Sequence, residues 1–149
     1  MEDATETSPK ILILATLSGG YRGADGVGQL HTDYPPNTYI LPAVCGSMFP
    51  ESFYLRAFER GFDAIIVMFS GSDCPYKDGA AKTADIINRT YEKMNALNLE
   101  TERLRLAAIC TVCTTPFLRE IRRMEEILER IGPIQRPFSV VPAAQPQPA

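Results

Sequence analysis

The chain has 149 residues, 45% of them hydrophobic and 22% charged, which suits one domain with a sizeable core and leaves little for a second. A net charge of -3 and a pI near 5.2 give no long-range pull toward nucleic acid or anionic lipid, both of which need a basic face. No apolar run approaches the ~20 residues of a membrane helix, and the acidic stretch from Met1 to Pro9 lacks the pattern of a signal peptide, so a cytosolic protein is expected. In that compartment the four cysteines read as reduced thiols, metal ligands or redox groups rather than structural disulfides.

In chain order, residues 1–9 form a polar tail expected to be disordered, and residues 10–132 alternate strand and helix signals four times. Lys10 to Leu17 is a short apolar run followed by the turn residues Ser18-Gly19-Gly20, a first buried strand. Tyr21 to His31 favours a helix only weakly, because Gly23, Gly26 and Gly28 each cost about 1 kcal/mol against alanine. Thr38 to Cys45 gives a second strand, and Pro42 within it argues for an edge position. Pro50 to Arg60 is helical, with proline in the first turn and Gly61 as the stop.

Ala64-Ile65-Ile66-Val67-Met68-Phe69 is six apolar residues without alternation, the mark of a strand buried on both faces, and it empties into a loop carrying Cys74. Gly79 to Leu97 shows the clearest helical periodicity; Leu104 to Cys110 is a fourth strand. Thr114-Thr115-Pro116 then opens a helix that runs to Gly132-Pro133. From Pro133 to Ala149 five of seventeen residues are proline, so this segment is expected to be disordered or docked on a partner. The order predicts an open, flavodoxin-like α/β fold: a parallel sheet of four to five strands, ordered 2-1-3-4, with helices on both faces.

A parallel sheet delivers every strand's following loop to one edge, so Cys45, Cys74, Cys110 and Cys113 are expected on the same rim. Thiolates suit iron–sulfur clusters and zinc, and Cys110-Thr111-Val112-Cys113 has the spacing that lets two sulfurs reach one metal centre. Against this, Cys45 and Cys110 at strand ends also fit the role of small core hydrophobes. A further reading takes Cys110 and Cys113 as a thiol–disulfide pair ahead of a helix. Ser18 to Gly23 is glycine-rich but matches neither phosphate-loop pattern. His31, the only histidine, reads as a surface or capping residue, and Asp25 and Asp73 as turn or cap residues.

Read in order, Gly23-Ala24-Asp25, Tyr34-Pro35-Pro36-Asn37, Cys45, Ala57-Phe58-Glu59-Arg60-Gly61 with Asp63, Asp73-Cys74 with Tyr76, and Glu102-Arg103-Leu104-Arg105-Leu106 resemble one family. That family is the delta subunit of methyl-viologen-reducing hydrogenase, and the resemblance runs from about Ile11 to Gly132. It implies a cytosolic electron-transfer subunit holding a two-iron two-sulfur (2Fe-2S) cluster. The implied partners are an electron-donating hydrogenase, formate dehydrogenase or other reductase and the flavin-containing subunit of a heterodisulfide-reductase-like assembly.

The family's loop after strand one has the form Cys-x-x-Cys-x-Tyr-x-Gly-Ala-Asp; this chain keeps Tyr21, Gly23, Ala24 and Asp25 but has Thr16 and Gly19 at the cysteine positions. Cys45 and Cys74 match the family residue by residue, whereas Cys110 and Cys113 have no usual counterpart. Phe69, Ser70 and Met48 stand where the family tends to carry a cysteine, a histidine and an arginine. Two expectations follow: Cys110 and Cys113 replace the lost pair, giving Cys45, Cys74, Cys110 and Cys113 as ligands, or the chain is a cluster-less adaptor in the same complex.

Overall fold

The computed structural model describes residues 8–109 and 114–140. Four strands, β1 (Ile11–Thr16), β2 (Thr38–Ala43), β3 (Ala64–Phe69) and β4 (Leu104–Ala108), form one all-parallel sheet in the order β2-β1-β3-β4. Helices α1 (Gly20–Gln29), α2 (Glu51–Glu59), α3 (Gly79–Ala96) and α4 (Thr114–Ile131) connect or follow them. This is the expected flavodoxin-like α/β arrangement with four strands.

Every residue of β1 is buried, because its side chains alternate between two covered faces. On one face Ile11, Ile13, Ile66 and Met68 pack against Val27 of α1 and Phe117, Ile121, Met124 and Leu128 of α4. On the other, Leu12, Leu14, Ile65 and Val67 pack against Tyr54 and Phe58 of α2 and Ile87 and Met94 of α3. Burial pushes the Tyr54 phenol well above its ordinary value, so it stays neutral in this core.

β2 lies at the sheet edge, as Pro42 requires. Ile11 donates its N–H to the Asn37 carbonyl and Leu17 to that of Ala43, so the odd-numbered backbone groups of β2 face β1. Thr38, Ile40 and Pro42 therefore point outward, and the missing donor of Pro42 leaves no broken ladder bond.

Asp63 ties the opposite end of the sheet together. Its carboxylate accepts from the Lys10 N–H at 2.9 Å, the Ile134 N–H at 2.9 Å and the Arg136 guanidinium at 3.1 Å. The buried Arg103 donates to the Asp63 and Gly132 carbonyls and to Glu100. Residues 133–140 run back over the α2 face, with Ile134, Phe138 and Val140 on its core. Asp63 and Arg103, both part of the family motifs, thus act in packing, away from the cysteine rim. Among the described residues no helix is long and apolar enough to cross a membrane.

Candidate functional site

Cys45 follows β2 and Cys74 follows the turn after β3, so the topology carries both to the carboxyl end of the sheet. Their side chains then meet at a glycine. A Cβ built on Gly79, the first residue of α3, would stand 2.8 Å from the Cys74 Sγ and 3.2 Å from the Cys45 Sγ. The two sulfurs can be separated by no more than the sum of those distances. Both are free thiols; Cys45 is buried and Cys74 half-buried.

Local packing explains the convergence. Cys45 opens a short turn, Gly46–Met48, and Gly46 presses on α3 so closely that a Cβ there would meet the Thr83 methyl at 2.7 Å. Thr83 lies one helical turn beyond Gly79 and donates its hydroxyl to the Gly79 carbonyl at 2.7 Å. Gly46 and Gly79 are therefore neighbours on one face of α3, and the missing side chains make room for the two sulfurs. The Cys45 Sγ also lies 3.1 Å from the Ser47 hydroxyl. Asp78 precedes α3 in the left-handed region at φ 57, which turns the chain from the Cys74 loop into the helix.

The loop after β1 is closed instead. A Cβ on Gly19 would lie 2.7 Å from the backbone of Phe69 and Ser70 and 3.0 Å from the Thr16 hydroxyl; one on Gly20 would lie 2.4 Å from the Met68 Cβ. Thr16 is buried, and its hydroxyl has no hydrogen-bond partner among the described residues. The Ser18 and Ser70 hydroxyls are 3.1 Å apart and join the two strand tips. At Thr16 and Gly19, where the resemblance implies two cysteines, this chain has a tight seam with no space for a thiol at position 19.

Cys110 and Cys113 lie outside the described residues. Their flanks are placed: Ile109 donates its N–H to the Phe69 carbonyl, at the same rim as Cys74, whereas Thr114 lies against Gly26 of α1, on the face of the sheet opposite α3. Among the described residues no three His, Cys, Asp or Glu side chains gather as a metal site. The described donors that fit a thiolate-bound metal group are the convergent pair Cys45 and Cys74, half of a four-thiolate set.

His31 is exposed with φ 53 just past α1, consistent with an end-of-helix role, and Asp25 accepts a hydrogen bond from Gln29 on the same helix. In the sequence Gly79 reads only as a helix start; its position directly after the Cys74 loop was the available signal for more. Leu17, Val44, Met48 and Tyr76, on the segments that follow β1, β2 and β3, are exposed at this end of the sheet.

The family model of the methyl-viologen-reducing hydrogenase delta subunit matches residues 11–132. An F420-non-reducing hydrogenase iron-sulfur subunit from Archaeoglobus profundus is 27% identical over 131 residues, 87% of this chain and 96% of the relative. The vhu iron-sulfur subunit of the F420-non-reducing hydrogenase from Methanocaldococcus jannaschii is 25% identical over 126 residues, 84% and 94% of the two chains. The corresponding vhc iron-sulfur subunit from Methanococcus voltae is 30% identical over 102 residues, 68% and 71% of the two chains. The chain belongs to the methyl-viologen-reducing hydrogenase delta-subunit family.

Proposed function

We propose that this chain is a subunit of a cytosolic hydrogenase-type redox complex, in which it relays electrons through a 2Fe-2S cluster held by Cys45 and Cys74 with Cys110 and Cys113. The observation that carries the reading is the meeting of the Cys45 and Cys74 sulfurs at Gly79. A thiolate-bound cluster is an anionic group, and the two sulfurs sit at the amino end of the 18-residue α3, where the helix dipole favours negative charge. When bound, the cluster supplies the one-electron carrier that the side chains lack. The chain's own residues hold it, and Cys45, being buried, keeps that side of the group from water.

The surface supports a relay as well. Among the described residues the exposed large apolar side chains all fall between Leu17 and Tyr76, and Leu17, Val44, Met48 and Tyr76 lie on the segments that follow the strands at the cysteine end of the sheet. Exposed apolar side chains at one end of a fold suit a surface that a protein partner covers. The partners proposed are a hydrogenase or other electron-donating reductase and a heterodisulfide-reductase-like flavin and iron–sulfur subunit.

A specific observation favours a second reading. A tight seam stands at Gly19 and Gly20, where the resemblance implies a ligand loop, and the chain re-enters at Thr114 on the face away from Gly79. A cluster-less adaptor in the same complex accounts for both. Anaerobic purification with the partner subunits, followed by iron and sulfide analysis and electron paramagnetic resonance after reduction, separates the two. The relay requires about two irons and two sulfides per chain; iron-free material from an intact complex establishes the adaptor. With iron present, an unchanged spectrum in Cys113→Ser removes Cys113 from the ligand set.

A further inference from the structure

The chain reaches Gly79 from two directions. Cys45 stands at the head of the turn Gly46–Met48, which Gly46 holds against Thr83 of α3, and Cys74 stands on the segment that leads through Asp78 into the same helix. Their sulfurs lie within 3.2 Å of one point above Gly79, and the Tyr76 Cβ is 3.4 Å from it. Glycine places no side chain between the two thiols. Closing a disulfide bond of about 2 Å would draw the sulfurs together across that open space.

The two sulfurs are not equivalent. Cys45 is 8% exposed, and its Sγ lies 3.1 Å from the Ser47 hydroxyl. Cys74 is half-buried and precedes Pro75 in the loop between Asp73 and α3. A reagent from solvent therefore meets Cys74 first, and Cys45 lies within reach of whatever forms there. A thiol that meets the reagent and a covered thiol that closes on it are the two parts that exchange through a mixed disulfide needs.

We propose that Cys45 and Cys74 form a reversible intramolecular disulfide when the chain carries no metal group, with Cys74 as the entry thiol and Cys45 as the resolving one. The oxidant is a low-molecular-weight disulfide. The Cys74 sulfur attacks one sulfur of that molecule, a mixed disulfide forms and one small thiolate leaves. The Cys45 sulfur then attacks the Cys74 sulfur, the bond between the two cysteines forms, and the second small thiolate leaves. The two protons of the protein thiols end on the leaving thiolates, and two electrons pass from the chain to the oxidant. An excess of small thiol reverses both steps. The consequence for metal binding rests on the preceding functional reading: a sulfur in a disulfide is no longer an anionic ligand, so oxidation and cluster loading exclude each other and reduction must come first.

The test uses the full chain, freed of metal under reducing conditions and then equilibrated anaerobically with mixtures of glutathione and glutathione disulfide. Remaining thiols are alkylated, and the tryptic peptides are weighed by mass spectrometry. The expected product joins residues 23–56, which carry Cys45, to residues 61–77, which carry Cys74, and leaves residues 106–119, with Cys110 and Cys113, outside the cross-link. Cys45→Ser should stop the reaction at a glutathione adduct on Cys74, and Cys74→Ser should slow modification of Cys45 about tenfold. Separate glutathione adducts on both cysteines of the parent, or a cross-link from either one to residues 106–119, overturn the proposal. Ferrous iron and sulfide are then offered to both forms. Uptake by the reduced chain alone supports the exclusion of metal by the disulfide, and equal uptake by the oxidised chain overturns it. Uptake by neither form removes the relay, with the disulfide judged by its joined peptides.

Discussion

Cys45 and Cys74, 29 positions apart in sequence, place their sulfurs within 3.2 Å of a single point above α3, the point a side chain on Gly79 would occupy. A methyl group there competes directly with the sulfurs. Gly79→Ala should leave the fold intact, since alanine favours a helix by about 1 kcal/mol over glycine. It should weaken bridging of the two thiols about tenfold. Titration with a trivalent arsenical, which binds two neighbouring thiols at once, reads this in the metal-free chain. Cys45→Ser should abolish the bridging, and equal affinity in Gly79→Ala and the parent would show that the sulfurs do not share that space.

The closed seam between the tips of β1 and β3 predicts a stability effect of opposite sign to helix propensity. Gly20→Ala should destabilise by about 1–3 kcal/mol, because its Cβ would sit 2.4 Å from that of Met68 in the core. Gly28→Ala, on the same helix with nothing near its Cβ, should stabilise by about 1 kcal/mol. Urea unfolding midpoints of the two variants should therefore move in opposite directions.

Asp63 predicts how the chain after α4 is held. Asp63→Ala leaves the Lys10 and Ile134 N–H groups and the Arg136 guanidinium without their carboxylate, a loss of about 3–5 kcal/mol for a buried paired charge. The segment from Pro133 to Val140 should then detach. Limited chymotrypsin digestion should cut after Phe138 readily in the variant and slowly in the parent, where Phe138 packs on the core; equal rates would refute the anchoring role.

The pH dependence follows from two ion pairs. The Arg89 guanidinium, 2.5 Å from Glu51, holds that carboxyl below the usual range, and Arg103 does the same to Glu100. A carboxyl depressed in the folded state binds protons more readily when unfolded. Its stabilisation is full above the unfolded value and fades as pH falls through the folded one. Stability should therefore decline below about pH 4.5. Arg89→Ala should flatten that decline in urea midpoints measured from pH 6 to pH 3.

Periodicity and turn chemistry determined the architecture. Ala64 to Phe69 reads as a doubly covered strand because six apolar residues run without alternation, and it is one; Pro42 reads as an edge residue because it lacks a donor, and its outward position shows why. The strand-helix order also brought Cys45 and Cys74 to one rim, since parallel connections return every strand in the same direction. The closeness of the two sulfurs was decided by tertiary structure, through Gly46 on Thr83 and the open space at Gly79, a close approach between segments that no local pattern encodes. The same holds for the seam at Gly19 and Gly20 and for the Asp63 anchor of residues 133–140. A side chain's direction and its long-range partners depend on packing that exists only once the sheet is assembled.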